Sequence, residues 1–330
     1  MRMVKQPRQN VLIRLGISSC LLGEKVRYDG GHKESRFLRD VLGHHFTWIP
    51  VCPEVELGLG IPREPVRLLR HGDEIRFVNI KSGKDYTNGM RNYAERRTKE
   101  LARENLSGYV LKRGSPSCGM NSVRIYRTND VTRESGNGLF ADALLKRIPH
   151  LPVEEEERLN TPAVLENFVA RVLTYSKWRQ YETCGVTLKS FKHFHHRHKL
   201  TVMARNPDAV RRLTDIVAGS NHFMDVQERT SAYIKTFSNI MRRAATRKGH
   251  LTVLYFVFEC FREQLDSYQN SQVCKMLNQY AHDALPFSEI LRLMRYYVRK
   301  FGIECLENQT YLNPEPIELQ LQDKLCERLS

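Results

Sequence analysis

Three cysteines, Cys20, Cys52 and Cys118, each fall where a short apolar run gives way to a loop rich in Gly, Pro and Ser. The runs are Val11 to Ile17, Phe46 to Val51 and Tyr109 to Leu111. The loops are Cys20-Leu21-Leu22-Gly23, Cys52-Pro53-Glu54 and Ser115-Pro116-Ser117-Cys118-Gly119. Short apolar runs bounded this way read as buried strands. In open α/β sheets the loops beyond the carboxyl ends of the strands form the binding crevice, so three thiols at three such ends can converge. Three thiolates leave a tetrahedral metal one ligand short, which makes an open site. Soft sulfur selects zinc, cuprous copper or an iron–sulfur cluster. Spacing alone also allows three buried cysteines packed as small hydrophobes, because no CxxC pair marks a chelate.

The loop residues narrow this. Cys20-Leu21-Leu22-Gly23 followed by Arg27-Tyr28-Asp29-Gly30-Gly31, then Val51-Cys52-Pro53-Glu54, then Ser115-Pro116-Ser117-Cys118-Gly119, resembles the bacterial thiouracil desulfurase family over residues 11–150. Gly136-Asn137-Gly138-Leu139-Phe140 is similar to that family's closing Gly-rich segment, with Asn137 where the family usually carries Asp. The fusion to a second half resembles the two-domain members that remove sulfur from 4-thiouridine in tRNA. The resemblance implies a [4Fe–4S] cluster held by Cys20, Cys52 and Cys118 with the fourth iron open. It implies hydrolysis of a thiocarbonyl to uridine and sulfide, without net redox change. The open iron is a soft Lewis acid for the sulfur, and a carboxylate moves the protons.

Glu54 is the candidate acid–base, with an ion pair to a nearby Arg as its plainer role. Ser115 is a candidate to hold the ring or the attacking water, although Ser beside Pro more often caps a loop. Asp29 and Ser117 are candidate substrate-binding residues. Two alternatives come from other directions: a non-catalytic nucleic-acid-binding iron–sulfur or zinc regulator, and a desulfurase of free thiouracil.

The elements that must position these residues read as an α/β N-terminal domain with a mainly parallel sheet, followed by an all-α C-terminal domain. Ser35 to Leu42 reads as a short helix between the first two strands, and Val66 to Leu69 with Ile75 to Val78 as a hairpin. Met90 to Leu106 reads as a long helix leading into the third strand. Ala141 to Ile148 closes the domain at about residue 150. Residues 151–175 are expected to form a linker and connecting helix, with the acidic run Glu154 to Glu157 as a solvated face and Pro162 opening the helix. Residues 176–330 then read as helical and basic. Asn206 caps a helix that Gly219 ends. Val226 to Thr246 reads as a second long helix and Leu251 to Leu265 as a buried central one. Ser288 to Phe301 reads as a cationic helix, before a last amphipathic segment in the tail.

Charge points to a polyanion. The net charge is +15, and residues 176–250 hold 15 Lys or Arg against 5 Asp or Glu. The resemblance implies that this polyanion is tRNA, with Lys192, Arg197, Lys199, Arg211 and Arg212 as candidate contacts and Arg205 displayed beside them. The run Lys192 to Lys199 contains four histidines but no carboxylate or cysteine, so a cationic RNA surface is favoured over a metal site. Cys184, Cys260, Cys274, Cys305 and Cys326 show no ligand spacing. No GxxxxGKS loop or full dinucleotide fingerprint is present, so no nucleotide cofactor is expected. The apolar run Leu251 to Phe261 is too short to cross a bilayer. Eight cysteines without a secretory pattern fit a reducing, cytoplasmic setting.

Overall fold

The computed structural model describes residues 13–127, 134–219, 225–315 and 317–318. The chain divides into two units, Met1–Thr161 and Pro162–Ser330. Cys326 and the amphipathic tail segment lie outside the described residues, as does the start of the first apolar run.

In the first unit, β1 (Arg14–Ser18) and β2 (Thr47–Val51) are parallel neighbours, joined by short 3₁₀ and π turns. The four-residue helix α1 (Pro53–Glu56) follows β2, and β3 (Val66–His71) and β4 (Glu74–Asn79) form the expected hairpin. The long helix α2 (Thr87–Arg103) ends before Asn105, whose φ of 53° is left-handed. Leu106 therefore opens β5 (Leu106–Leu111) and does not close the helix, as the sequence reading had it. After β6 (Val123–Arg127) and β7 (Ser135–Gly136) come α3 (Leu139–Arg147) and β8 (Val153–Glu155).

One sheet has the order β2-β1-β5-β8 and all its pairings are parallel. All-parallel sheets are buried on both faces, and Leu15, Ile17, Val51, Tyr109, Val110 and Leu111 are accordingly fully buried. Gly16 is required in β1, since a Cβ there would lie 2.1 Å from the Tyr109 ring. A second sheet, β4-β3-β6-β7, was not anticipated from sequence beyond its hairpin.

The acidic run is a correction. Glu154 and Glu155 are buried in β8, the edge strand of the parallel sheet, and are not a solvated linker face. Glu155 is met by loop donors, as described below, and the Glu154 carboxylate pairs with Arg158 at 3.0 Å.

The second unit is helical: α4 (Pro162–Thr183), α5 (Leu188–Met203), α6 (Pro207–Ala218), α7 (Val226–Met241), α8 (Arg247–Glu259), α9 (Ser267–Ala281), α10 (Phe287–Lys300) and α11 (Glu304–Glu307). Asn206 caps α6 by accepting from the Ala209 amide, and Gly219 ends it at φ 75°. Trp178, Phe191, Phe194, Tyr233 and Phe237 form one aromatic cluster; Val253, Val257, Phe261, Leu277 and Met294 belong to another. Three expectations change here. α7 stops at Met241, short of Thr246. α8 is not wholly buried, because Tyr255 and Phe256 face solvent at 48% and 45% exposure. Arg205 is not displayed outward, since its guanidinium donates to the Thr201 and Arg243 carbonyls and to Asn167. Among the described residues, no helix is long and apolar enough to cross a membrane.

Candidate active site

Cys20 sits in a 3₁₀ turn just past β1, ended by Gly23 at φ 94°. Cys52 sits between β2 and α1, where its amide donates to Glu56 at 3.1 Å. Glu56 also accepts from the Tyr93 hydroxyl at 2.7 Å and pairs with Arg97 at 3.2 Å, which anchors the turn to α2. Cys118 lies in the loop after β5, where the Gly119 amide reaches the Ser115 carbonyl at 2.8 Å. Because β2, β1 and β5 are parallel neighbours, all three loops leave the same sheet edge. Together they line one cavity of about 380 Å³.

The Cys118 loop is held from two sides. Its outer turn is fastened by β8: Glu155 accepts from the Met120 amide at 2.7 Å and the Ser122 hydroxyl at 2.5 Å. Glu156 accepts from the Arg113 amide at 2.7 Å and from Lys112. From the other side, the amides of Phe140 and Ala141, in α3, donate to the Ser117 carbonyl at 3.1 Å. Gly138 lets these segments meet, since a Cβ there would lie 2.4 Å from the Ser117 carbonyl oxygen. Asn137 accepts from the Asn121 amide at 2.9 Å, so its side chain serves the loop.

All three cysteines are free thiols. Burial, reinforced by the neighbouring Cys52, pushes Cys20 up to about 11. Burial also raises Cys52, and raises Cys118 strongly against hydrogen bonds from Ser18 and Ser117. A thiol in such surroundings becomes a thiolate against a positive centre, and coordination supplies one. Among the described residues, no three His, Cys, Asp or Glu side chains gather as a set able to hold a metal ion. The three thiols line the wall of one cavity. The donor set of three soft sulfurs fits a cluster.

Glu54 is buried in the same wall. Its Oε1 accepts from Ser117 Oγ at 2.8 Å, with Ser115 Oγ at 3.5 Å. Its Oε2 accepts from Arg63 Nε at 3.0 Å and Nη2 at 2.7 Å. Arg63 was missed in the sequence; the available signal was its place in Pro62-Arg63-Glu64-Pro65, where two prolines fix how the cation is presented. Ser18 and Lys112 also line the cavity and were missed. Asp29, by contrast, is exposed and accepts from its own loop at the Gly31 amide, 3.0 Å away. That bond and Arg27 hold its carboxyl below the usual range. Asp29 does not line the cavity as defined by its wall residues.

The basic candidates lie in the second unit. Lys192, Arg211 and Arg212 are exposed; Arg197 and Lys199 are half-buried. The histidine run is not one surface. His195 and His198 are buried against Tyr233, Phe194 and Phe237, because residues three and four apart share a helix face and Phe191, Phe194, His195 and His198 lie on the inward one.

A family model for 2-thiouracil desulfurase matches residues 15–156. The uncharacterized protein YbbK of Bacillus subtilis is 35% identical over 150 residues, covering 43% of this chain and 95% of that protein. The chain belongs to the 2-thiouracil desulfurase family. The uncharacterized protein YbgA of Escherichia coli is 20% identical over 157 residues, 48% of this chain and 93% of that one. A solved structure of the [4Fe-4S]-dependent thiouracil desulfidase TudS is 36% identical, covering 45% of this chain and 93% of that one at a TM-score of 0.37. Residues 199–316 match a model described only as a protein of unknown function.

Proposed function

We propose that the first unit removes the sulfur of a thiolated pyrimidine as sulfide, using a [4Fe–4S] cluster held by Cys20, Cys52 and Cys118. The observation that carries this is one cavity wall bearing three free thiols and the buried carboxylate of Glu54, fixed by Ser117 and Arg63. When bound, the cluster supplies a soft Lewis acid to which thiocarbonyl sulfur is drawn. The protein supplies the proton chemistry. Arg63 occupies Oε2, so Oε1 is the atom of Glu54 left to take a proton from water. Ser117 and Ser115 hold that atom in place and offer hydroxyls to the pyrimidine ring. Water adds at the thiocarbonyl carbon, the proton held at Glu54 passes to the sulfur as the carbon–sulfur bond breaks, and the freed Glu54 carboxylate takes the remaining hydroxyl proton as the new carbonyl forms. General acid–base help of this kind contributes typically ~10²–10⁴-fold.

The finer reading is that the pyrimidine is 4-thiouridine within tRNA. Its support is the basic excess of the second unit, displayed at Lys192, Arg211 and Arg212. A second reading, free thiouracil, is favoured by the 2-thiouracil desulfurase family model, which matches residues 15–156 and so none of the second unit. Sulfide release measured without oxygen, from thiolated tRNA beside free 2- and 4-thiouracil, separates the two. Under the tRNA reading, turnover on tRNA falls steeply with salt and falls again when Lys192, Arg211 and Arg212 are replaced together by Ala. Equal turnover on free base and tRNA, with no salt dependence, removes the tRNA reading. Absence of sulfide from every substrate, with the cluster present, removes the desulfidase reading.

A further inference from the structure

Glu54 and Glu56, two residues apart on α1, point to different sides. Glu54 faces the cysteine cavity, whereas Glu56 stands outside its wall with Tyr93 and Arg97 of α2. Glu56 meets the backbone of Cys52 twice. Its amide donates to the Cys52 carbonyl at 2.9 Å, and its Oε1 accepts from the Cys52 amide at 3.1 Å. A four-residue helix is too short to hold itself, so this closed turn needs fastening from elsewhere. The fastening falls on Oε2, which accepts from the Tyr93 hydroxyl at 2.7 Å and lies 3.2 Å from Arg97 Nε.

Tyr93 also reaches the support of a second cysteine loop. Its ring packs on that of Phe140, with centroids 6.3 Å apart, and both rings are buried. The Phe140 amide donates to the Ser117 carbonyl, beside Cys118, at 3.1 Å. One side chain of α2 thus serves two loops, by its hydroxyl on the Cys52 side and by its ring on the Cys118 side.

We propose that Glu56 and Tyr93 are positioning residues for the cluster, setting Cys52 and Cys118 against one another from behind the cavity wall. This rests on the cluster reading above. Glu56 also brings a negative charge to the Cys52 turn, and Arg97 balances it. Cluster potential follows the charge around it, and an added electron is disfavoured near a negative one. Removing either member of the pair alone therefore moves the potential in a defined direction.

The test uses the full-length protein loaded with its cluster without oxygen. Partners that hold metal ligands in place are typically worth about 10–100-fold in metal affinity. Glu56→Ala is expected to lose iron to a chelator faster than the parent by about that factor. Tyr93→Phe, which keeps the ring and removes the hydroxyl, loses iron faster than the parent, and Tyr93→Leu, which removes the ring as well, faster again. Adding Tyr93→Phe to Glu56→Ala brings no further loss, because the hydroxyl acts through Glu56. Glu56→Gln shifts the midpoint potential of the cluster to more positive values and Arg97→Gln to more negative ones, a pair of opposite signs that mere loosening of the turn does not produce. A parent without labile sulfide removes the cluster reading and this proposal with it. In a loaded parent, iron loss from Glu56→Ala at the parental rate overturns the proposal alone. So do additive losses in the double variant, or potentials of Glu56→Gln and Arg97→Gln that move together or not at all.

Discussion

Two nitrogens of the Arg63 guanidinium meet a single oxygen of Glu54, and both side chains are almost wholly out of solvent, at 6% and 11% exposure. The pairing divides the carboxylate between two tasks, with one oxygen bound to the cation and the other turned to the serines. Arg63 itself is fixed by the Val26 and Gly60 carbonyls, each at 3.0 Å.

Removing one member of a buried pair leaves a charge uncompensated, at a cost of about 3–5 kcal/mol. Arg63→Ala is therefore expected to destabilise the first unit by that order, and Arg63→Lys by less, since it keeps the charge and loses the fork. Glu54→Gln keeps the shape and deletes the proton-transfer group. Its sulfide release should fall by ~10²-fold or more with the visible absorption of the cluster retained. Full turnover in Glu54→Gln would transfer the acid–base role to another group.

Iron and acid-labile sulfide content test the ligand set. Protein prepared without oxygen should carry about four of each per chain. Cys20→Ala, Cys52→Ala and Cys118→Ala should each lose most of both. Cys260→Ala should lose neither, because its thiol donates within α8 to the Phe256 carbonyl at 3.3 Å. Stoichiometric zinc with no labile sulfide would refute the cluster.

Gly138→Ala places a methyl against the Ser117 and Pro116 backbone, which cannot yield as a side-chain tip can. The Cys118 loop should move, with iron content falling and amide exchange at Cys118 and Gly119 rising. Glu155→Gln should raise exchange at Met120, whose amide loses a charged acceptor. Unchanged exchange in both variants would mean that the loop holds itself.

Acid should weaken the second unit before carboxylates titrate. Burial depresses His195 and His250 to about 4 and His198 to about 3. Free histidine titrates near 6.5. Between these values the unfolded chain takes up protons that the folded chain refuses, so stability is full above about 6.5 and falls as pH drops toward 4. The slope is about 1.4 kcal/mol per pH unit for each such histidine. Urea midpoints followed by Trp178 fluorescence in a Trp48→Phe background should fall between pH 7 and 5. A flat midpoint over that range contradicts the burial of these rings.

The site was readable where chemistry and chain punctuation coincide. Cys20, Cys52 and Cys118 follow β-branched or aromatic runs and precede Gly or Pro, so strand ends and thiols announced each other. Helix ends with caps, such as Asn206 and Gly219, were equally plain. β8 escaped because consecutive glutamates resemble solvated surface, and it takes the Met120 amide and Ser122 hydroxyl at Glu155 and Arg158 at Glu154 to make their burial possible. Arg63 and Ser18 escaped for a related reason. Ser18 acts through Lys112, far along the chain, and Arg63 reaches Glu54 only across the turns between them, and a single sequence does not print such pairs. The His195 and His198 rings were misassigned to a surface because composition says nothing of which way a helix faces.

Glu155 and Glu156 lie well after the cysteine loop they fasten, and that order has a temporal side. A ribosome finishes all three cysteines before it begins the strand that secures the last of them. Until the residues through Glu156 have left the exit tunnel, the Cys118 loop lacks its Glu155 and Glu156 acceptors, and Lys112 lacks its counter-charge. On the proposed reading, delivery of iron and sulfide belongs after synthesis of this unit, and a fragment cut at residue 150 would carry Cys20, Cys52 and Cys118 while lacking the Glu155 and Glu156 acceptors on one side of the Cys118 loop.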